Sequence, residues 1–190
     1  MMRIITGSAK GKKLVTLEGD ATRPTSERIK GAIFSSIQFD IENRRVLDLF
    51  AGSGQMGLEA LSRGAESCMF IDASREAVEI VKKNATATGF FNKSRFLSSD
   101  YRNYMRKASG REKFDLVFID PPYDLKCCVE AAEALVRYDL IIPGAIVVLE
   151  SGEEQILISD PRLHGYELIK SQSYGKKTSV NILLYTPDGE

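Results

Sequence analysis

The sequence predicts an α/β fold built on a parallel sheet with helices on both faces. Four short apolar runs are separated by segments in which apolar residues recur at helical spacing, and this alternation is typical of such a sheet. The runs cover residues 46–50, 67–71, 114–119 and 145–150. A weaker strand is predicted at 94–98, and two further strand-like runs lie near the end of the chain.

Start and stop signals predict the helices between these runs. Thr25 is a residue type that caps the beginning of a helix. Gly64 and Gly89 stand where the second and third helices should end, because glycine tolerates the backbone conformation found there. The predicted helices cover residues 25–37, 57–64, 74–88 and 130–138.

The last third of the chain changes pattern. Pro143 and Gly144 turn the chain into the run at 145–150. Beyond it, strand-like runs at 166–174 and 179–185 are joined by a short polar segment, which is typical of a hairpin. We therefore expect a closing antiparallel pair next to the parallel strands.

Composition bounds the number of domains and the kind of partner. A chain of 190 residues with 43% apolar content can bury one sizeable core, so we expect one domain, residues 1–190. Lysine plus arginine equals aspartate plus glutamate at 26 each, so any nucleic-acid contact must come from a local cluster. Residues 1–30 supply one, a basic N-terminal extension with seven basic and three acidic side chains. A solvated arm is the alternative.

The cysteines indicate a reducing compartment. Cys68, Cys127 and Cys128 form no CxxC pair, and Cys68 lies in an apolar run typical of a core. No stretch approaches the roughly 18 apolar residues of a membrane span. We therefore expect a cytoplasmic protein with no metal site.

Residues 48–57, called the glycine loop below, lie where the first strand ends and the first helix of the sheet begins. In an open parallel sheet that junction binds ligands, and glycines let the backbone approach a ligand closely. Alone, the pattern Gly52-x-Gly54-x-x-Gly57 is also compatible with a structural turn. Asp72 ends the second strand twenty positions after Gly52, where a carboxylate can accept hydrogen bonds from ribose hydroxyls. It could also cap the following helix.

Two cofactors fit this spacing, a nicotinamide dinucleotide and S-adenosylmethionine. Asp48 favours the second, because a carboxylate can face the cationic amino acid end of S-adenosylmethionine but would repel a pyrophosphate. The only histidine, His164, is far from the predicted strand ends, so the usual general base for hydride transfer has no candidate. The expected cofactor contacts in this region are Asp48, Phe50, Ala51, Gly52, Gly54, Asp72 and Ala73.

The apolar run at 114–119 leads straight into Asp120-Pro121-Pro122-Tyr123. Two prolines cannot continue a strand, so the chain leaves the sheet in a stiff turn. Methyl transfer to a base amine is difficult because the amine lone pair is delocalised into the ring. Asp120 and the Pro121 carbonyl can accept both amine hydrogens and localise that lone pair, while Tyr123 offers a face for stacking. A rigid strand exit with a capping aspartate is the alternative.

In this order, the glycine loop, the acidic end of the second strand and the DPPY tetrapeptide resemble the pattern of class I S-adenosylmethionine-dependent methyltransferases. The resemblance implies a Rossmann-like, seven-stranded mixed sheet of order 3-2-1-4-5-7-6 with strand 7 antiparallel. It also implies that Asp100, followed by Tyr101, holds the adenine amine of the cofactor. An ordinary loop aspartate is the alternative at that position.

Nearly the whole chain resembles the RsmD family, which methylates the N2 amine of a guanine in 16S ribosomal RNA. The segments that carry this resemblance are RIITG at 3–7, GKKL at 11–14, TRPTSER at 22–28 and GLEALSRGA at 57–65. The family more often has Glu at the position of Asp72, and smaller residues at those of Gln55 and Met56.

An RNA substrate gives the basic N-terminal extension a purpose, because phosphates need Lys and Arg near the target base. The expected RNA contacts are Arg3, Lys10, Lys12, Lys13, Arg23, Thr25 and Arg28. The guanine must be unstacked, which favours loops over duplex. We expect 16S ribosomal RNA or the small ribosomal subunit as partner, no membrane, and a monomeric protein.

Three other functions stay open. DNA amine methyltransferases can share the tetrapeptide, although they usually carry an added target-recognition domain. Protein-glutamine methyltransferases face the same lone-pair problem, although their motif usually starts with Asn. A non-enzymatic RNA-binding module could retain the fold, although the intact glycine loop and tetrapeptide argue against that.

Overall fold

The computed structural model describes residues 2–16, 27–122, 125–152, 156–175 and 178–187. The helices are α1 (Glu27–Ser36), α2 (Gln55–Ser62), α3 (Arg75–Thr88), α4 (Tyr101–Ala108) and α5 (Cys128–Arg137). The strands are β1 (Arg45–Asp48), β2 (Ser67–Asp72), β3 (Ser94–Ser98), β4 (Phe114–Ile119), β5 (Ile141–Ser151), β6 (Tyr166–Tyr174) and β7 (Thr178–Tyr185).

The seven strands form one mixed sheet of order β3-β2-β1-β4-β5-β7-β6, as the resemblance implied. The chain divides into two compact units, residues 1–100 and 101–190, which are described in turn. The expectation of a single domain stays a prediction. Within the described residues, no helix is both long and apolar enough to cross a membrane.

The first unit contains three parallel strands and the helices that connect them. β2 pairs with β1 and with β3, both in parallel. Helix α3 begins after Ser74, whose hydroxyl accepts a 3.2 Å hydrogen bond from the Ala77 N–H, and ends at Gly89, whose φ is 89°. The end predicted for this helix at Gly89 is confirmed, whereas the sequence had not identified Ser74 as its cap. Helix α2 begins at Gln55, two residues earlier than predicted.

The segment at residues 2–16, called the N-terminal hairpin below, folds back on itself and packs onto the first unit. Ile4 N–H donates to the Lys12 carbonyl at 2.9 Å, and Leu14 N–H donates to the Met2 carbonyl at 2.9 Å. Ile4 and Leu14 are buried, with Ile4 at 0% exposure. The Glu59 carboxylate of α2 accepts the backbone N–H groups of two hairpin residues at 2.7 and 3.0 Å. The described part of the N-terminal extension is therefore docked structure rather than a solvated arm.

The second unit contains the end of the sheet. β4 and β5 are parallel, whereas β7 is antiparallel to both β5 and β6, which confirms the predicted closing hairpin. β5 begins at Ile141 and includes Pro143 and Gly144, where a turn was predicted. Its pairing with β4 shifts register between Phe114 and Leu116, so a local irregularity accommodates the proline within the strand.

Candidate active site

The glycine loop needs glycine at specific places. Gly54 has a φ of 79°, and a Cβ there would lie 2.8 Å from Val81 Cγ1. A Cβ on Gly57 would lie 2.4 Å from the Phe70 ring. Gly52 differs, because its φ is 53° but a Cβ would meet no described atom within 4 Å. Gly54 and Gly57 therefore allow tight packing against the first unit, whereas Gly52 leaves an open side where a ligand can approach the backbone.

Asp48 ends β1 and is buried, with 2% exposure. Its Oδ2 accepts a 3.0 Å hydrogen bond from Gly57 N–H in the first turn of α2, where a negative charge is favourable. Burial, and then the negative charge of Asp48, raise the pKa of the neighbouring Cys68 thiol well above its ordinary value. Asp48 therefore holds the end of the glycine loop through the Gly57 N–H. Its predicted contact with the cofactor stays a prediction.

Asp72 ties the end of β2 to the glycine loop. Its Oδ2 accepts the Gly52 N–H at 2.8 Å, and its Oδ1 accepts the Ser74 N–H at 2.8 Å. The cap of α3 is Ser74 itself, so Asp72 does not fill the capping role that was the alternative. Each carboxylate oxygen has further lone pairs, which leaves capacity for ribose hydroxyls.

Gln55 carries an unusual feature of the loop. The residue is buried, with 8% exposure, and its Oε1 has no hydrogen-bond partner among the described residues. Buried acceptors are nearly always paired, so this oxygen is suited to accept a hydrogen bond from a bound ligand. Together with the open side of Gly52, it shows that the loop fits a ligand that carries hydrogen-bond donors.

The other residues predicted to contact the cofactor in the first unit have varied exposure. Ala51 is buried, and its N–H donates to the Ile71 carbonyl at 2.8 Å. Phe50 is half-buried, whereas Ala73 and Asp100 are exposed beyond the ends of β2 and β3. Nothing blocks Asp100 from solvent, but its role as the adenine contact stays a prediction.

The second unit carries the tetrapeptide directly after β4. Every residue of that strand is buried. Asp120 is half-buried, Pro121 is buried and Pro122 is exposed. The Pro122 carbonyl accepts a 2.9 Å hydrogen bond from Leu125 N–H, so the chain turns sharply here. Tyr123 lies outside the described residues. The predicted stiff exit from the strand is present, with the carboxylate of Asp120 at its start.

Tyr101 is placed against the helix that follows the tetrapeptide. The residue is 5% exposed. Burial raises the pKa of its hydroxyl, and the electrostatic interaction with the Cys127 side chain raises it further. The guanidinium of Arg102 lies 4.7 Å from the centre of the Tyr101 ring and pairs with Glu130 of α5. Tyr101 therefore helps to fix α4 on the beginning of α5, and its predicted cofactor contact is not tested by this placement.

The basic residues predicted to contact RNA fall into two groups. Arg3 forms two 3.0 Å hydrogen bonds to Glu27, and Lys12 Nζ donates to the Ala87 carbonyl at 2.8 Å. These two side chains are therefore used to attach the N-terminal hairpin. The second group is Lys10, Lys13 and Arg28, which are exposed like Arg3 and Lys12. Arg23 and Thr25 lie outside the described residues.

Comparison with known proteins identifies the family. The family model described as conserved hypothetical protein 95 matches residues 2–183. Ribosomal RNA small subunit methyltransferase D of Escherichia coli (strain K12) is 31% identical over 160 residues, which cover 84% of this chain and 79% of that protein. The chain belongs to the RsmD family. The Bacillus subtilis (strain 168) protein YlbH is 36% identical over 154 residues, or 80% of this chain and 84% of its own.

The solved structure of a putative methyltransferase has the same fold. The Escherichia coli protein yhhF superimposes with a TM-score of 0.85 at 28% identity, covering 98% of this chain and 99% of that one. The family model and the curated relatives confirm the RsmD resemblance drawn from the sequence, and the strand order with this structural similarity confirms the class I methyltransferase fold. Within the described residues, no group of histidine, cysteine and acidic side chains could hold a metal ion.

Proposed function

We propose that this RsmD-family protein transfers a methyl group from S-adenosylmethionine to the exocyclic N2 amine of a guanine in 16S ribosomal RNA. The observation that carries the proposal is the exit of the fully buried strand β4 into Asp120, Pro121 and Pro122. The family and the name of the Escherichia coli relative support ribosomal RNA as the substrate class.

The glycine loop and its surroundings are proposed to hold the cofactor. When bound, S-adenosylmethionine supplies an electrophilic methyl group on a sulfonium. Asp72 accepts ribose hydroxyls, and Gly52 leaves room for the ligand beside the backbone. Gln55 Oε1 gains the hydrogen-bond donor that it lacks, and exposed Asp100 accepts from the adenine amine.

The tetrapeptide is proposed to prepare the amine. Asp120 and the Pro121 carbonyl accept its two hydrogens, which turns the nitrogen towards a tetrahedral geometry and localises its lone pair. Tyr123 stacks on the guanine and orients it. With the donor bound, the N–C bond would form as the S–C bond breaks, with S-adenosylhomocysteine as the leaving group and the amine proton released to solvent. Holding both reactants in line is the main contribution of the protein.

The RNA is proposed to run over the basic N-terminal region. Lys10, Lys13 and Arg28 are exposed there and can neutralise phosphates. A guanine in a loop or at an end suits the site best, since unstacking it from a duplex costs a few kcal/mol. We also propose that the protein acts as a monomer in the cytoplasm, where its three buried cysteines stay reduced.

The decisive experiment follows label from methyl-labelled S-adenosylmethionine into four substrates. These are naked 16S RNA, assembled small subunits, DNA and total protein. Label is expected in one or both of the RNA-containing samples, and nuclease digestion followed by mass spectrometry should show N2-methylguanosine. Label only in DNA or only in protein glutamine would replace the proposal with one of those activities. Label on another RNA atom would remove the N2 assignment.

A further inference from the structure

A buried amide on α3 connects the N-terminal hairpin to the glycine loop. Asn84 has 1% exposure. Its Oδ1 accepts the Val15 N–H at 2.8 Å, and its Nδ2 donates to the Val15 carbonyl at 2.9 Å. The same Nδ2 donates to the Ser53 carbonyl of the glycine loop at 2.8 Å. One side chain therefore holds the end of the hairpin and the middle of the loop.

The chemistry of this bridge is specific to asparagine. Both N–H groups and the carbonyl oxygen of Asn84 are used, and the Val15 N–H fixes which atom of the amide is oxygen. Aspartate has the same shape but no donors, so it would place a carboxylate against two carbonyl oxygens. Alanine would leave the Ser53 carbonyl without this partner.

A second contact joins the same two segments. The Ser53 hydroxyl donates to the Met2 sulfur at 2.9 Å, so the loop meets the hairpin at its first described residue as well as at Val15. The carbonyl and the side chain of Ser53 are thus both held from the hairpin side. A change in the position of Ser53 therefore disturbs at least one of these contacts.

We propose that Asn84 is a positioning residue that couples the N-terminal hairpin to the glycine loop, so that cofactor binding and RNA binding favour each other. The inference rests on the proposed function, in which the loop holds S-adenosylmethionine and Lys10 and Lys13 contact RNA. A ligand that orders the loop orders the hairpin through Asn84. By linkage, RNA held on the hairpin raises cofactor affinity by the same factor.

The coupling is tested first by steady-state kinetics and calorimetry. Asn84→Ala should raise the KM for S-adenosylmethionine and the Kd for S-adenosylhomocysteine by about tenfold, while kcat stays within about twofold, because only loop positioning is lost. Thr88→Val is the matched control, since among the described residues the Thr88 hydroxyl donates only to carbonyls of its own helix. An Asn84→Ala protein with unchanged KM and Kd would overturn the proposal.

Hydrogen exchange gives a readout that a general loss of stability would not reproduce. In the wild type, saturating S-adenosylhomocysteine should slow exchange of the Leu14 and Val15 amides. In Asn84→Ala, saturating ligand should still protect the loop but no longer the hairpin, whereas Thr88→Val should behave like the wild type. Hairpin amides that ignore the ligand in the wild type would overturn the coupling.

A second variant separates this inference from the proposed function. Val15→Pro removes the N–H that Asn84 Oδ1 accepts and leaves the loop sequence intact. In the unliganded protein it should speed exchange of the Gly54 amide by at least about fivefold, in line with the loss of about 1 kcal/mol of local hydrogen bonding. An unchanged rate would refute the coupling. A wild type that binds no S-adenosylhomocysteine would refute the proposed function, and the exchange rate of the Gly54 amide in the unliganded variant would then decide whether the hairpin and the loop are coupled.

Discussion

Asp72 Oδ2 lies 2.8 Å from the backbone nitrogen of Gly52, so the last residue of β2 holds the glycine loop directly. A hydrogen bond to a charged group contributes about 1.5 to 3 kcal/mol, more than one between neutral groups. The carboxylate therefore has two roles in the proposed site. It fixes the open side of the loop at Gly52 and keeps spare lone pairs for ribose.

Asp72→Ala should weaken binding of S-adenosylhomocysteine by at least about tenfold, because both the loop anchor and the ribose acceptor are lost. Asp72→Asn should lose less, since one carbonyl oxygen remains to accept a backbone N–H. Calorimetric titration measures both variants. Asp160→Ala, which removes a carboxylate paired with Arg162 in the second unit, serves as the control. Wild-type affinity in Asp72→Ala would contradict this role.

Gln55→Leu should have opposite effects on stability and on binding. Removing a buried, unpaired acceptor relieves a cost of about 1 to 3 kcal/mol, so the free energy of unfolding should not fall. Binding of S-adenosylhomocysteine should weaken, because the ligand loses an acceptor. Urea unfolding and calorimetry measure the two quantities, with exposed Gln38→Leu as control. If both quantities fell together, Gln55 would be a packing residue only.

Asp120→Ala should lower kcat for methyl transfer by about a hundredfold to a thousandfold, because an acceptor that acts on the reacting amine is lost. Binding of S-adenosylhomocysteine should survive. Single-turnover transfer of labelled methyl to 16S RNA, beside calorimetry, separates the two effects. Asp120→Asn keeps one acceptor oxygen and should retain more activity than Asp120→Ala. Loss of binding along with transfer would mean that Asp120 is structural.

The strands and most helices were predictable because each depends on a local pattern. β6 at Tyr166–Tyr174 has the predicted bounds, and α3 ends at Gly89 as predicted. Helix α4 was not predicted. Its buried face consists of Tyr101, Tyr104, Met105 and Ala108, which repeat at helical spacing but include aromatic and small residues instead of an aliphatic stripe.

The sequence predicts which residue types form the candidate site, but it does not predict which atoms their side chains contact. The sequence does not reveal that the Lys12 ammonium donates a hydrogen bond to the Ala87 carbonyl, because that contact joins residues 75 positions apart. Asn84 did leave a signal, since it lies three residues after Val81 on the apolar face of a predicted helix. A polar residue there indicates a buried hydrogen bond, but the partner depends on how the chain folds.

The Cys68 thiol makes a prediction about alkaline stability. Burial and the charge of Asp48 raise its pKa in the folded protein above the ordinary value of 9.0, so the unfolded chain ionises first. The contribution of the neutral thiol to the free energy of unfolding is complete below about pH 9, where the unfolded chain keeps its proton. It is lost as the pH rises above that value. Above about pH 9, the free energy of unfolding should therefore fall more steeply in the wild type than in Cys68→Ala, by up to about 1.4 kcal/mol per pH unit. Parallel slopes in urea titrations would contradict this.

The exposed lysines of the N-terminal hairpin make a prediction about RNA binding. Replacing Lys10 and Lys13 by Ala should weaken binding to 16S RNA. It should also reduce the slope of log K against log salt by about 1.4, because each of the two phosphate contacts with a single strand contributes about 0.7. Fluorescence anisotropy titrations at several salt concentrations measure the slope. The control replaces Arg106 and Lys107, two exposed basic residues of α4, and changes the net charge equally. An equal loss of RNA affinity in both double variants would mean that net charge, and not the hairpin, causes the effect. An unchanged slope in the hairpin variant would mean that Lys10 and Lys13 do not contact RNA phosphates.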